Sequence, residues 1–526
     1  MEISKSKIFI ILITAIMICS CRNQPVKFTA DWASLEQVNP VPEWFKDAKF
    51  GIYFHWGVYS VPAFGNEWYP RNMYIDGRAE NLHHIENYGQ PEEWPYHYFI
   101  TGAEDRQGNF VQFAPGLISE GGSFDPQEWA DLFARSGARF AGPVAEHHDG
   151  FSMWASDVNP WNAKDKGPGL DLVGLLAEAI REKNMKVILS MHHAFHGFVR
   201  ERGGDHNKTT NERFYHYAPD TDDPDLQILY AKLSEEENEK LWLAKHKEII
   251  DKYRPDIIWQ DFNLTGIREP VLLEFLAYYY NRAGEWNKEV VATYKDALNT
   301  DVAVLDYERG GPVDITDYYW LTDDAISRTS WCYTEGISYY SPRKVFHGFL
   351  DRVSKNGNLL LNVSPKADGT IPQEQKEILL AFGDWLGKYG EAVYNTRAWI
   401  KYGEGPIKMG TGHRHTTEDK VVEFEAPAEG TAEDIRFTRD KNNKILYAIM
   451  LGWPGDNEIL SIHSLSSKEL NVRTLKGVEF LGPEKGMYIS LNYEQDKSGM
   501  HITMPEKQSD EMAYVVRFKF SNEISD

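Results

Sequence analysis

Between Pro40 and Thr396 short apolar runs alternate with amphipathic helical stretches, and this alternation confines the chain to α/β architecture around a parallel sheet. Residues 49–55, Lys-Phe-Gly-Ile-Tyr-Phe-His, read as the first strand; 138–145, 186–191, 256–259, 290–294, 302–306 and 359–363 read as later ones. Helix signals fall between them. Asp125 is placed as an N-cap with Pro126 at the first helical position and Glu128 at the third; Trp129, Leu132 and Phe133 form the apolar face, and Gly137 marks the stop. Leu172, Leu175, Leu176, Ala179 and Ile180 mark a second helix, and Ser234 with Glu237 forms a capping box for a third that runs to Tyr253. Repeated βα units over this length predict a (β/α)8 barrel, a TIM barrel. No Gly-x-Gly-x-x-Gly follows the first strand, so nothing points to a dinucleotide fold.

With 526 residues the chain has room for a second unit. Beyond Thr396 the texture changes. Residues 421–424, 445–450, 487–491 and 514–520 look like strands separated by turn residues, with Asn442-Asn443 in a hairpin position, which predicts a C-terminal β-sandwich of about 125 residues. The division expected is a barrel over 28–395 and a sandwich over 396–526.

The first residues read as a processing signal. Lys5 and Lys7 precede an apolar run from Ile8 to Ile18 that is too short to span a bilayer comfortably. The run ends Ile18-Cys19-Ser20-Cys21, which resembles a bacterial lipobox; Cys21 follows a small residue and is the lipidation candidate. The expectation is a signal peptide over 1–21 and an exported lipoprotein of the periplasm or outer membrane, held to the membrane only by its lipid. A plain secretory signal is the alternative. Cys332 would then be the sole thiol, leaving no internal disulfide. The formal charge of −23 argues against nucleic acid or an anionic membrane surface as partner.

In a barrel, chemistry collects where strands end. Four ends here carry unusual side chains. Phe54-His55-Trp56-Gly57 is followed by Glu67-Trp68-Tyr69. Glu146-His147-His148-Asp149-Gly150 places two histidines side by side; on an extended strand these face opposite ways, one towards a ligand and one bracing it. No His-x-x-x-His or Cys-x-x-Cys spacing accompanies them, so hydrogen bonding to sugar hydroxyls is favoured over a metal. Ser190-Met191-His192-His193 fits a site or a surface loop equally. In Trp259-Gln260-Asp261 the indole and the carboxylate are two residues apart, so strand alternation turns both the same way; a strand-end Asp capping the next segment gives the same pattern.

These segments together resemble glycoside hydrolase family 29, the α-L-fucosidases, over about residues 30–395. The resemblance implies a retaining exo-glycosidase acting on fucosylated glycans, with no cofactor. It implies Asp261 as nucleophile and places His55, Glu67, His147, His148 and Trp259 at the sugar; Trp68 and His192, from their strand-end segments, are further substrate-binding candidates. Arg309, in Tyr307-Glu308-Arg309, matches the family's substrate-binding arginine, and Trp331 its aromatic residue against the fucose methyl. One departure stands out: many members carry an acid/base Glu in a Trp-Glu pair where this chain has Trp320-Leu321. Glu308 is the first substitute considered, then Asp323 and Asp324. A sugar-binding lipoprotein that has lost general-acid chemistry is the rival reading, and an α-L-galactosidase the nearer alternative.

Overall fold

The computed structural model describes residues 27–199, 212–407 and 429–524. The proposed signal segment with Cys21 and the strand read at 421–424 lie outside them. No described helix is long and apolar enough to cross a membrane.

Eight parallel strands close a barrel: β1 Phe50–Phe54, β2 Phe140–Glu146, β3 Lys186–Met191, β4 Ile257–Gln260, β5 Val291–Tyr294, β6 Val304–Glu308, β7 Trp320–Ala325 and β8 Gly357–Val363. Each pairs with its neighbours in sequence, and β1 shuts the ring between β2 and β8. Six helices line the outside: α1 Pro126–Arg135, α2 Leu172–Glu182, α3 Glu235–Tyr253, α4 Glu269–Glu285, α5 Pro342–Ser354 and α6 Gln373–Tyr389. The predicted caps are present. Asp125 accepts from the backbone of Gln127 and Glu128, and Ser234 and Glu237 complete their capping box.

The barrel interior is filled by Phe140, Val144, Ile188, Ile257, Val291, Val304, Leu321 and Leu360. Gly51 makes room for this layer, because a Cβ there would sit 2.0 Å from the Phe140 ring. The barrel is irregular on one side. β5 connects to β6 through 295–303 and β6 to β7 through 309–319, with no helix in either connection.

Two barrel strands differ from expectation. The one read at 302–306 begins at Val304, because Val302 and Ala303 donate back to Asn299 in a turn; Glu308 thereby becomes a strand residue. Strand β7 does not stand out in the sequence, since Trp-Leu-Thr-Asp-Asp-Ala lacks an apolar run; its polar groups are paired inside the protein.

After the barrel, Thr396–Glu404 opens a six-stranded antiparallel sheet that faces a three-stranded one across Trp399, Phe437, Leu446, Ile462, Met500 and Phe518. Asn443, with φ +53°, turns the hairpin between Ile435–Asp440 and Ile445–Met450. This unit is tied to the barrel helices by an Arg436–Asp351 ion pair at 2.7 Å and by the Trp385 indole donating to the Ala513 carbonyl.

Candidate active site

The strand ends of one barrel face converge on a cavity. His55 follows β1, His147 and His148 follow β2, and His192 follows β3. Trp259 ends on β4 with Asp261 and Phe262 just beyond it. Lys295 follows β5, Glu308 ends β6 and Asp323 lies on β7. Trp331 reaches in from the connection to α5, and Glu67 and Trp68 come from the long segment after β1.

At the centre, Asp261 Oδ2 lies 3.1 Å from His148 Nε2 and its Oδ1 3.0 Å from Lys295 Nζ. Burial by itself raises the Asp261 carboxyl, but the Lys295 charge and the His148 hydrogen bond outweigh it and hold the group well below the usual carboxylate range. The same ammonium stands 3.1 Å from Glu308 and 3.4 Å from Asp323. Asp261 and Glu308 thus present oxygens to one donor, which bounds their separation by two hydrogen-bond lengths. Burial lowers Lys295, yet the facing Asp323, Glu308, Asp261 and Asp306 carboxyls together raise it well above its ordinary value, so it stays cationic.

The carboxylates differ in access. The Asp323 side chain is 3 % exposed and that of Glu308 21 %. Tyr53 donates to Asp323 at 2.9 Å, and Asp306 beneath accepts from the Trp259 indole at 3.1 Å. Burial and the neighbouring Asp323 push Asp306 well above the carboxylate range.

His55, His147 and His192 are neutral. Asn362 Oδ1 accepts from both the backbone N–H and Nδ1 of His55, which fixes the tautomer and leaves Nε2 as an acceptor. Burial pulls His55 down to about 4 and takes His147 and His192 well below their normal value. His148 donates through Nδ1 to the His192 carbonyl at 2.7 Å. The adjacent His147 and His148 both line the cavity, contrary to the alternation expected of them, because β2 ends at Glu146 and strand geometry no longer applies. Glu146 itself turns away from the cavity and anchors the turn. It pairs with His193 at 2.6 Å and Lys245 at 2.8 Å, with all three side chains fully buried.

Trp331 stands against His55 and Tyr53, with ring centroids 5.4 and 6.2 Å apart. The Arg309 guanidinium lies 4.3 Å over its ring, and Glu67 accepts from the Trp331 backbone N–H at 3.0 Å. Asp324 is turned out of the cavity by strand alternation and pairs with Arg352 on α5 at 2.6 Å, which removes it as an acid/base candidate. Leu321 pairs in register with Asp306 two residues below Glu308, so this position lies in the barrel floor rather than at the mouth. Sequence reasoning overlooked Lys295, Asp306, Tyr53 and Phe262. The strand-end rule finds Lys295 if applied to the strand read at 290–294, and alternation from His55 finds Tyr53.

The family model for Alpha-L-fucosidase matches residues 15–391, well over half of the chain. The chain belongs to the α-L-fucosidase family. A second model, for the α-L-fucosidase C-terminal domain, matches residues 428–519. Human tissue α-L-fucosidase is 28% identical over 491 residues, which cover 89% of this chain and 88% of that one. A structure of Thermotoga maritima α-fucosidase in complex with fucose superposes with a TM-score of 0.69 at 28% identity, over 93% of this chain and 100% of that one. The same enzyme with a mechanism-based inhibitor gives 0.70 at 28% identity, over 94% and 100%. Membership in this hydrolase family sets aside the binding-only reading. Within it, the present α-L-fucosidase chain carries Leu321 in its floor and a buried Lys295 joining three carboxylates.

Proposed function

We propose that the protein removes terminal α-L-fucose from glycans with retention of configuration, using Asp261 as nucleophile and Glu308 as acid/base. The observation that carries this reading is the ionised Asp261, held between His148 and Lys295 in a buried cavity with a second carboxyl group on the same ammonium. In the first step an Asp261 oxygen attacks the anomeric carbon, the bond from C1 to the leaving oxygen breaks, and the Glu308 proton passes to that oxygen. In the second, Glu308 takes a proton from water, the water oxygen bonds to C1, and Asp261 departs as carboxylate. Glu308 is favoured over Asp323 because it is the more exposed of the two and can meet a leaving group at the mouth. The test is inactivation with 2-fluoro-fucosyl fluoride followed by peptide mass analysis. Label on Asp261 is expected; label on another carboxylate overturns the assignment.

We further propose that the protein is exported and lipidated at Cys21. The basic residues Lys5 and Lys7, the short apolar run and the Ser20-Cys21 pair support this. Metabolic labelling with a fatty acid should mark the wild type and not Cys21→Ala.

A further inference from the structure

We propose that His55, His147 and His192 form a binding site for one divalent transition-metal ion of borderline softness, zinc being the probe, which the ion occupies in competition with the sugar. The proposal rests on the fucosidase reading only for the competing ligand.

The three residues come from the ends of three successive barrel strands, and one ring nitrogen of each lies within 4.8 Å of the other two. A tetrahedral ion with bonds of about 2.0–2.1 Å needs ligand atoms about 3.3–3.4 Å apart, so small side-chain rotations close the set. The donors are chemically suitable. All three rings are buried, which shields the ligand set from solvent. His55 already has the outer-shell partner that metal-binding histidines use, because its Nδ1 donates to Asn362 and its Nε2 lone pair is left free. The Nδ1 atoms of His147 and His192 are buried and have no hydrogen-bond partner among the described residues.

Charge favours a cation. Glu67, Asp261, Glu308 and Asp323 line the cavity with these histidines, and the facing ammonium, Lys295, is already engaged by carboxylates. Three imidazoles suit zinc, copper, cobalt or nickel, whereas magnesium and calcium require oxygen ligands. Sequence spacing gives no sign of this set because the ligands converge in space from separate strands. The same three rings line the cavity proposed to hold the sugar, so a bound ion and a bound fucose exclude each other.

The test uses the full chain, treated with EDTA and titrated with zinc chloride by calorimetry. We expect one zinc per chain, weakened by saturating L-fucose, and competitive inhibition of aryl-fucoside hydrolysis, with KM raised and kcat unchanged. Cobalt(II) should show the visible absorption of a tetrahedral ion, and magnesium chloride should show none of these effects. His147→Phe and His192→Phe should each weaken zinc binding by at least about tenfold, the lower bound for loss of even an outer-shell partner; melting curves confirm that the variants fold. Absence of stoichiometric zinc binding overturns the proposal, as does binding that survives both variants or that L-fucose leaves untouched. If the protein neither turns over nor binds fucose, the stoichiometry, the cobalt spectrum and the histidine variants still decide the metal question.

Discussion

Lys295 Nζ donates to Asp261 at 3.0 Å from the end of the neighbouring strand, so the proposed nucleophile is kept ionised by a cation that is itself almost wholly buried. Lys295 is the cation that Asp261, Glu308 and Asp323 share, so its removal strips these carboxyl groups of that counter-charge. Lys295→Met should therefore lower kcat/KM by about 10²–10³-fold, the range found for removing one preorganised charge-stabilising donor. The sign of the accompanying pH effect follows from the remaining burial, which raises Asp261 once the ammonium is gone. The acid limb of kcat/KM should move to higher pH. A variant with wild-type rate and an unmoved limb removes Lys295 from the mechanism.

Glu308→Ala should slow substrates with poor leaving groups far more than activated aryl fucosides, because general acid catalysis supplies about 10²–10⁴-fold and an activated leaving group needs little of it. Asp323→Asn serves as comparator. Asp323 is locked to Tyr53 and Lys295 below the mouth, so its loss should depress all substrates alike. The reverse pattern across a leaving-group series transfers the acid/base role to Asp323.

The barrel was legible because each early βα unit carries its own punctuation: Asp125-Pro126 and Ser234 with Glu237 announce helices whose caps form as read. Its later part was less so. Between β5 and β7 the connections are helix-free, and β7 is polar because Asp323 faces the site while Thr322 and Asp324 bind Tyr307 and Arg352, so apolar periodicity has nothing to report. Every residue assigned to the sugar from strand ends and family motifs lines the cavity, save Arg309, whose guanidinium lies over the Trp331 ring. The residues that set the charges, Lys295 and Asp306, were not picked out, since their roles depend on partners on other strands. Convergence of that kind leaves no spacing in the sequence.

The pH dependence of the free enzyme should be governed on its acid side by His55. Asp261 is held well below the usual range and stays ionised, whereas His55, pulled down by burial to about 4, gains a proton on its open nitrogen as pH falls through that value. Protonation destroys an acceptor and places a positive charge in the sugar site. The kcat/KM profile should fall below about pH 4 and be flat just above it. His55→Asn should be slower throughout and lose this inflection; an inflection that persists belongs to another group.

The buried Glu146–Lys245 pair should matter more to stability than any surface bridge. Both side chains are fully buried at 2.8 Å, and Glu146 directly precedes the two site histidines. Removing one partner of a buried pair costs about 3–5 kcal/mol because the other charge is stranded. Lys245→Met should lower the denaturation midpoint accordingly, while Lys240→Met, which breaks an exposed pair with Glu236, should change it little. Equal effects in urea titrations refute the distinction.

Trp331 bears on the preference for a 6-deoxy sugar. Its half-buried indole lines the cavity, near the rings of Tyr53 and His55 and with the Arg309 guanidinium 4.3 Å over its ring. The C6 methyl of fucose needs an apolar wall, and a buried carbon is worth about 0.8 kcal/mol, or about fourfold. Discrimination against the hydroxymethyl of α-L-galactose should accordingly be modest, and Trp331→Ala should erase about that factor by weakening fucoside turnover. Trp331→Phe separates wall from support, since it keeps an aromatic face beneath Arg309 and should retain most of the preference. The measurement is the ratio of kcat/KM for the two aryl glycosides in each variant. An unchanged ratio in a folded Trp331→Ala protein would assign the indole to holding Arg309 and Glu67 in place, with the methyl recognised elsewhere.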